Sequence, residues 1–283
     1  MPGIDAHTHL FAPEQLRSRE QLASTDSTFA EMYGDPAARM ATAPDLLAAL
    51  DEAHLEAAVA AGFAFSSEAA IGAQNEYLLE AARISGGRIV ALATINLALS
   101  GWEHIVSRAV DLDARGFGEL RPHNQGWDPL GKQAQRLCGM AKDAGLVLVW
   151  HCSEPAGHTY PGKAGGISPV ELMQLVTLVP GVSQVGAHLG AGLSFYLQMP
   201  EVKAALESVY FDTAAYSLLY DDESVARLVD LAGPERVIFG SDYPLLSPRR
   251  QIERLAAQLS SPVADAVCGG NARRLFRITD SHD

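Results

Sequence analysis

The chain has 283 residues, of which 48% are hydrophobic and 19% charged, which is enough for one large α/β domain or two small ones. A formal net charge of −13 argues against nucleic acid or an anionic membrane surface as the main partner. No apolar run reaches the roughly 18 residues of a membrane helix, and no secretory signal pattern opens the chain. The three cysteines are far apart in sequence, which predicts free thiols and a cytoplasmic protein.

The first predicted element is a strand in "GIDAHTHLF", residues 3–11. Alternate side chains of a strand share a face, so Asp5, His7 and His9 are expected to project the same way. Polar groups on a buried strand need partners, because an unpaired buried polar group is costly. This strand is therefore the first candidate for a functional site.

Residues 12–44 show no sustained hydrophobic period, and prolines stand at positions 13, 36 and 44. We expect a long loop or insertion here, and loops of this length in compact domains are often functional.

From Asp45 onward, helical patterns alternate with short apolar runs. This order indicates parallel strands covered by helices, and eight such units predict a single (β/α)₈ TIM barrel over residues 1–283. A doubly wound open sheet is the competitor, but it should carry a glycine-rich phosphate turn after an early strand. The short "GKAGG" and "GAGL" segments stand in the wrong places for that turn. The predicted strand ends lie near residues 10, 65, 97, 122, 153, 190, 214 and 244.

Histidines and carboxylates recur at the carboxyl ends of these strands, which in a barrel meet at one face. A single histidine in a strand is more often a hydrogen-bonded core residue than a ligand, but six such residues at strand ends form a set. Imidazole and carboxylate without thiolate suit a catalytic divalent cation such as zinc. The predicted ligands are His7, His9, Glu119, His151, His188 and Asp242.

Several segments resemble the amidohydrolase superfamily, and within it the amidohydrolase-2 group that includes aminocarboxymuconate-semialdehyde decarboxylase. The similar segments are "IDAHTHL", "NEYLLEAARISGGRIVALATINL", "FGSDYPL" and "GGNARRLF". The resemblance implies a (β/α)₈ barrel with a divalent metal at its mouth. It also implies that five residues occupy the metal-site positions of the family: His7, His9, His151, His188 and Asp242.

Glu119 departs from the carboxylated lysine that many two-metal members carry on strand 4. It resembles the bridging glutamate of TatD-like members, so we expect two ions, most plausibly zinc, with Glu119 between them. The alternatives are that Glu119 contacts a ligand or the substrate, and that one ion binds. With one ion, His188 becomes an acid/base group instead of a ligand.

Three further residues near these positions are candidates for supporting roles. Arg121 and His123 follow Glu119 at alternate positions and could share its face, which makes them candidate substrate-binding residues. A guanidinium group pairs with a carboxylate through two hydrogen bonds, although an ion pair at the rim explains Arg121 equally well. Asp5 is expected to accept a hydrogen bond from a ligating histidine.

Three functions are compatible with this set. The first is a hydrolase that activates water at the metal and acts on an amide, lactone or ester of a small molecule bearing a carboxylate, with Asp242 and His188 as catalytic residues. The second is a metal-dependent, non-oxidative decarboxylase of a small carboxylic acid. The third is a non-catalytic metal-binding barrel. Glu119 and the chain length favour the hydrolase, and the sequence leaves homo-oligomerisation open.

Overall fold

The computed structural model describes residues 3–279 and contains one sheet of eight parallel strands in the order β1-β2-β3-β4-β5-β6-β7-β8. This order, with helices between the strands, confirms the (β/α)₈ barrel. The strands are β1 (Gly3–His9), β2 (Leu55–Ala61), β3 (Ile89–Ala93), β4 (Gly116–Leu120), β5 (Val147–Trp150), β6 (Gln184–Gly186), β7 (Val209–Asp212) and β8 (Val237–Ile238).

Helices connect the strands on the outside of the barrel. In the described part of the chain they are α1 (Pro13–Arg17), α2 (Arg19–Thr25), α3 (Ser27–Tyr33), α4 (Ala43–Ala53), α5 (Glu68–Ile84), α6 (Trp102–Asp111), α7 (Pro122–Gln125), α8 (Lys132–Ala144), α9 (Pro169–Leu178), α10 (Ala187–Gly190), α11 (Pro200–Ala205), α12 (Tyr216–Leu219), α13 (Ser224–Ala232), α14 (Pro248–Ala256), α15 (Ser261–Asp265) and α16 (Asn271–Leu275). Within residues 3–279, no helix is both long and apolar enough to span a membrane.

The segment after β8 closes the barrel against β1. Ala6 N donates to the Phe239 carbonyl (2.7 Å), and His9 N donates to the Tyr243 carbonyl (2.7 Å). Asp242 N donates to the carbonyl of His7 (3.0 Å). The backbone at Asp242 is therefore bonded directly to the strand that carries two of the predicted ligands.

Two apolar layers hold the barrel together. The outer layer packs helix residues such as Leu46, Leu50 and Leu78 against strand residues such as Ala58 and Leu148. The inner layer joins alternate strand residues across the barrel, and its helical members come from α16. Its strand members include Ala57, Val59, Ala61, Val147, Val149, Val185 and Ile238. Small and β-branched side chains fill a barrel interior without voids, so the polar site is confined to the mouth.

Residues 12–44 are more regular than the sequence indicated, since they contain α1, α2 and α3 before α4 begins. Asp26 caps α3 by accepting a hydrogen bond from Phe29 N (3.0 Å). Helices of five and seven residues are too short for a hydrophobic period to emerge, which is why the sequence predicted a loop. The segment packs through a separate aromatic cluster of Phe11, Phe29, Phe63 and Phe65.

The strands end one to six residues before the predicted positions, at residues 9, 61, 93, 120, 150, 186, 212 and 238. The apolar runs continue past the last ladder hydrogen bond into buried loops, and the sequence pattern does not mark that change.

Candidate metal centre

Six predicted ligands meet at the carboxyl mouth of the barrel and form two groups of three. His7, His9 and Asp242 form what we call the first triad, and Glu119, His151 and His188 form the second triad. Within each triad, one ligand-type atom of every residue lies within 4.8 Å of the others. The structure thus brings together all six residues that the sequence singled out.

The first triad is open to solvent on one side. His7 Nε2 lies 3.1 Å from His9 Nε2, and His9 Nε2 lies 3.3 Å from Asp242 Oδ1. His7 Nε2 lies 3.9 Å from the same Asp242 oxygen. The side chains of His9 and Asp242 are each 13% exposed, so a small molecule in the mouth of the barrel can reach this triad.

The second triad is more deeply buried and more compact. Glu119 Oε1 lies 2.8 Å from His151 Nδ1 and 3.2 Å from His188 Nε2. The two imidazole nitrogens are 3.2 Å apart. Glu119 Oε1 also lies 3.8 Å from His7 Nε2, which makes Glu119 the carboxylate between the two triads.

Hydrogen bonds on the outer side of three imidazoles fix which nitrogen carries hydrogen. His7 Nδ1 donates to Asp212 Oδ2 (2.7 Å), and His188 Nδ1 donates to the Ala214 carbonyl (3.0 Å). His151 Nε2 donates to the Gly162 carbonyl (3.0 Å). Each of these partners can only accept, so in the neutral rings the inner nitrogens present lone pairs.

When the rings are neutral, as ligation requires, these inner lone pairs point at one another and at the oxygen of Glu119 with no proton between them. Such an arrangement is repulsive without a cation, whereas a divalent ion would bind every lone pair. Ligand atoms bound tetrahedrally about 2.1 Å from an ion lie about 3.4 Å apart. The contacts of 3.1–3.9 Å in the first triad bracket this value. The donor set therefore fits a divalent cation.

The pKa values show how negative the centre is. Burial opposes protonation of His7, but Asp212, Glu119 and Asp242 outweigh it and raise the pKa of His7 to about 10. Burial likewise opposes protonation of His188, and Glu119 and Asp242 still raise its pKa to about 9. In both rings a positive charge is favoured at the place where an ion would bind.

The local backbone places the ligands that lie beyond the strands. His151 directly follows β5, and its N–H still donates to the Leu120 carbonyl (3.1 Å). His188 lies in the short turn of α10 with φ 58° and ψ 52°, and Asp242 has φ 64°. Left-handed conformations are costly for residues other than glycine, and such strain is concentrated at functional sites.

Asp5 does not accept from a histidine ring, contrary to the sequence expectation. Its Oδ1 accepts from the backbone N–H of Ser241 (2.9 Å) and of His7 (3.3 Å). The β1–β2 register shifts between Asp5 and Thr8, so the expected alternation does not continue to His7. Burial raises the pKa of the Asp5 carboxyl to about 7. The ring of His7 is oriented by Asp212 instead.

Arg121 and His123 do not share one face, because β4 ends at Leu120 and Arg121 begins the helical turn of α7. Arg121 is buried and borders the cavity over the triads. Among the described residues, no carboxylate forms an ion pair with Arg121 at the rim. His123 is half-exposed, bonds Glu171 (2.8 Å), and is not among the described residues that line the cavity. The substrate-binding prediction for His123 is therefore not supported by its position.

The guanidinium of Arg121 is held by three hydrogen bonds. Its Nε donates to Asn124 Oδ1 (2.9 Å), and its Nη2 donates to the carbonyls of Gly162 (2.6 Å) and Ala164 (2.9 Å). Its Nη1 is buried and has no hydrogen-bond partner among the described residues. Arg121 therefore supports the loop after β5 and keeps one N–H group unpaired.

A cavity of about 620 Å³ lies over the two triads. Its floor includes His9, Glu119, His151, His188 and Asp242, and its wall is largely apolar. The wall residues include Met32, Tyr33, Phe63, His158, Tyr160, Leu218 and Leu245. A volume of this size suits a small organic molecule.

Two residues near the centre were missed or given no role by the sequence. Asp212 is a polar residue in the apolar run of β7, and the sequence shows this, but it does not show the hydrogen-bond partner of Asp212. His158 lies in the loop after β5 and lines the cavity, although its sequence context predicted no function. The positions of both residues depend on contacts between segments that are far apart in the chain, and a single sequence does not show such contacts.

The fold and the site define a (β/α)₈ barrel with a candidate divalent-metal centre at its carboxyl mouth. The family model Amidohydro_2, described as Amidohydrolase, matches residues 4–278, and the chain belongs to this family. No curated protein matches this chain significantly.

Solved structures similar to this chain include three decarboxylases. The 5-carboxyvanillate decarboxylase of Sphingomonas paucimobilis has a TM-score of 0.79 at 16% identity, over 98% of this chain and 99% of that chain. The 2,6-dihydroxybenzoate decarboxylase of Rhizobium has a TM-score of 0.75 at 16% identity, with coverages of 98% and 99%. The dihydroxybenzoic acid decarboxylase of Polaromonas sp. JS666, with bound manganese and the inhibitor 2-nitroresorcinol, has a TM-score of 0.74 at 15% identity, with coverages of 99% and 99%.

These comparisons overturn the expectation of a hydrolase and favour its alternative, because the three similar structures named above are decarboxylases. The argument from chain length is also wrong, since the alignment covers 99% of the Sphingomonas decarboxylase. A bridging position for Glu119 does not by itself select hydrolysis. Zinc and the number of ions remain predictions, and the metal named with the Polaromonas structure is manganese.

Proposed function

We propose that this protein is a metal-dependent, non-oxidative decarboxylase of a small carboxylic acid. The observation that carries the proposal is the convergence of inner lone pairs from His7, His151 and His188 on Glu119, at the floor of a cavity with a largely apolar wall. The similarity of the fold to decarboxylases supports the reaction type.

The chemistry of the centre follows from its charge. A divalent ion bound there would supply a Lewis acid that offsets the negative charge formed when the bond to the carboxylate breaks. When a substrate fills the cavity, the apolar wall around Phe63, Leu218 and Leu245 would limit the access of water and so strengthen electrostatic interactions there. Loss of CO₂ also leaves a carbon atom that must receive a proton.

His188 and Asp242 are the candidate catalytic residues, and both line the cavity. His188 Nε2 faces the centre while its Nδ1 is held by the Ala214 carbonyl (3.0 Å). An imidazolium at this place can give its Nε2 proton to the carbon that has lost CO₂. The negative charge of Glu119, with a smaller contribution from Asp242, favours the protonated form of this imidazole by raising its pKa.

The finer composition of the centre is a second part of the proposal. One ion in each triad, with Glu119 between them, accounts for all six ligand-type side chains. With both triads filled, His188 is a ligand and another group must supply the proton. With the first triad alone filled, His188 carries the proton. Metal stoichiometry therefore decides the role of His188.

Arg121 is proposed to bind an oxygen of the substrate carboxylate through Nη1. The support is that Arg121 lines the cavity and that its Nη1 is a buried donor without a partner among the described residues, since a buried unpaired N–H group costs free energy. Because Nη1 is buried, the side chains around it must move before an oxygen of the substrate can reach it.

The experiment uses purified protein reconstituted separately with manganese and with zinc. Released CO₂ is measured with 2,6-dihydroxybenzoate, 5-carboxyvanillate and a panel of related aromatic and unsaturated acids. We expect CO₂ release from at least one acid, dependent on metal, and its loss in His188→Asn. Metal-loaded protein that releases no CO₂ from any of these acids would contradict the proposal.

A further inference from the structure

Asp212 lies at the end of β7, a strand that supplies no residue to either triad, and it is fully buried. Both of its carboxylate oxygens have partners. Oδ2 accepts from His7 Nδ1 (2.7 Å), and Oδ1 accepts from the backbone N–H groups of His188 (2.9 Å) and Ala214 (3.1 Å). One carboxylate thus contacts a ligand residue of each triad.

The bond to His7 determines where that ring carries hydrogen. A carboxylate accepts and cannot donate, so Nδ1 of His7 carries hydrogen whether the ring is neutral or charged. In the neutral ring Nε2 then has the lone pair, and Nε2 is the atom that faces His9 and Glu119. The other tautomer would turn an N–H group toward the centre.

The bonds of Oδ1 act on His188 in two ways. The backbone N–H of His188 is held while that residue is in a left-handed conformation. Ala214, whose N–H is bonded to the same oxygen, presents its carbonyl to His188 Nδ1 (3.0 Å). Asp212 therefore places both the backbone and, through Ala214, the ring of His188.

We infer that Asp212 is a positioning residue that keeps the inner nitrogen of His7 free for an ion and aligns His188 with it, so that the two triads form one centre. This inference rests on the proposed metal centre, but its effect on His7 exists in the metal-free protein as well. Partners of this kind change metal affinity about 10- to 100-fold in other metal sites.

The decisive variant is Asp212→Asn, which keeps the shape of the side chain. Its carbonyl oxygen can still accept from the two backbone N–H groups, which leaves the amide nitrogen facing His7. That nitrogen donates to His7 Nδ1, and the hydrogen of the ring moves to Nε2. Asp5→Asn is the matched control, because Asp5 is also buried and bonds the His7 backbone without contacting the ring.

The first measurement is ¹⁵N NMR of histidine-labelled, metal-free protein, with the His7 signals assigned by comparison with His7→Asn. In the wild type we expect Nδ1 of His7 to carry hydrogen. In Asp212→Asn we expect an unprotonated Nδ1, and in Asp5→Asn the wild-type pattern. An unprotonated Nδ1 in the wild type would overturn the inference by itself, even if Asp212→Asn failed to fold.

The second measurement is zinc affinity, from competition with a chelator. We expect a loss of roughly 10- to 100-fold in Asp212→Asn. A purely structural role would lower the melting temperature without changing the protonation of His7 or the affinity, and that result would also overturn the inference. A wild type that binds zinc but releases no CO₂ would contradict the decarboxylase and leave the role of Asp212 supported.

Discussion

The two triads differ in the groups that lie around their ligands. In the first triad, Asp242 is a member and the carboxylate of Asp212 contacts the outer nitrogen of His7. In the second triad, backbone carbonyls contact the outer nitrogens of His151 and His188. A carboxylate therefore contacts the outer ring nitrogen of a ligand in the first triad, whereas backbone carbonyls take that place in the second triad.

The pKa values of His7 and His151 reflect this difference in surrounding charge. Despite burial, the carboxylates around His7 raise its pKa to about 10. Burial, together with the charge of Arg121, lowers the pKa of His151 to about 4, and Glu119 only partly offsets this. The pKa of His188, which also belongs to the second triad, is raised to about 9, so the difference between the triads comes from His151 beside Arg121. We therefore expect a cation to bind the first triad more tightly.

The largest effect is expected from Asp242→Ala, which removes the carboxylate of the tighter site. We expect metal affinity to fall by more than the roughly 100-fold that loss of a ligand's hydrogen-bond partner costs, and decarboxylation to fall to background. Metal content after dialysis measures this. Asp143→Asn, on the exposed face of α8, is the control. Full metal content in Asp242→Ala would show that the first triad is not the tighter site.

Glu119→Gln should have the next largest effect and should act on one site only. The neutral amide removes the charge between the triads, so we expect loss of the weaker of the predicted ions and retention of the tighter one. Metal analysis by mass spectrometry, at several zinc concentrations, distinguishes these outcomes. If the wild type saturates with one ion and the variant binds it unchanged, Glu119 does not bridge.

Arg121→Ala should act more on substrate than on metal. Loss of a charged hydrogen bond of about 1.5–3 kcal/mol raises KM about tenfold or more. The second triad also loses a neighbouring positive charge, so its affinity for an ion should rise rather than fall. Steady-state kinetics and metal titration measure the two effects. A loss of metal equal to the loss of activity would place Arg121 in the scaffold of the site.

His123→Ala tests the smallest expected effect. His123 bonds Glu171 outside the described cavity lining, so we expect KM and kcat to change by less than about twofold, as for most exposed substitutions. The same kinetic assay is used, with Arg121→Ala as the positive comparison. A tenfold rise in KM would restore His123 as a substrate-binding residue.

The sequence predicted the barrel, and it singled out six residues that meet at one place, because both depend on local patterns. Alternation of helices and strands is read from hydrophobic period, and His7, His9 and Asp242 lie in short motifs. Asp212 shows what local patterns cannot predict. A polar residue in an apolar strand signals a partner, but the partner, His7, is more than 200 positions away, and only the closed barrel brings them together.

The differences between the sequence predictions and the structure also have local causes. Alternation predicted that Asp5 would meet His7 and that His123 would face the substrate, but a register shift in β1 and the early end of β4 break both patterns. Hydrophobic periodicity does not report a shift of one residue in strand pairing. The same limit explains why the short helices of residues 12–44 were not foreseen.

The aromatic cluster under α3 allows some residues of this helix to vary while others hold it in place. Phe11, Phe29 and Phe65 hold this helix on the barrel, and Met32 lines the cavity. Tyr33 does both, because it lines the cavity and its ring packs against Phe11 and Phe29. Substitutions at the cavity-lining positions can reshape the space for a substrate while the three phenylalanines and the ion-binding strand ends keep their sequence. A few substitutions at the cavity-lining positions of α3 are therefore expected to change which substrates the protein accepts. A directed-evolution library can begin with these positions.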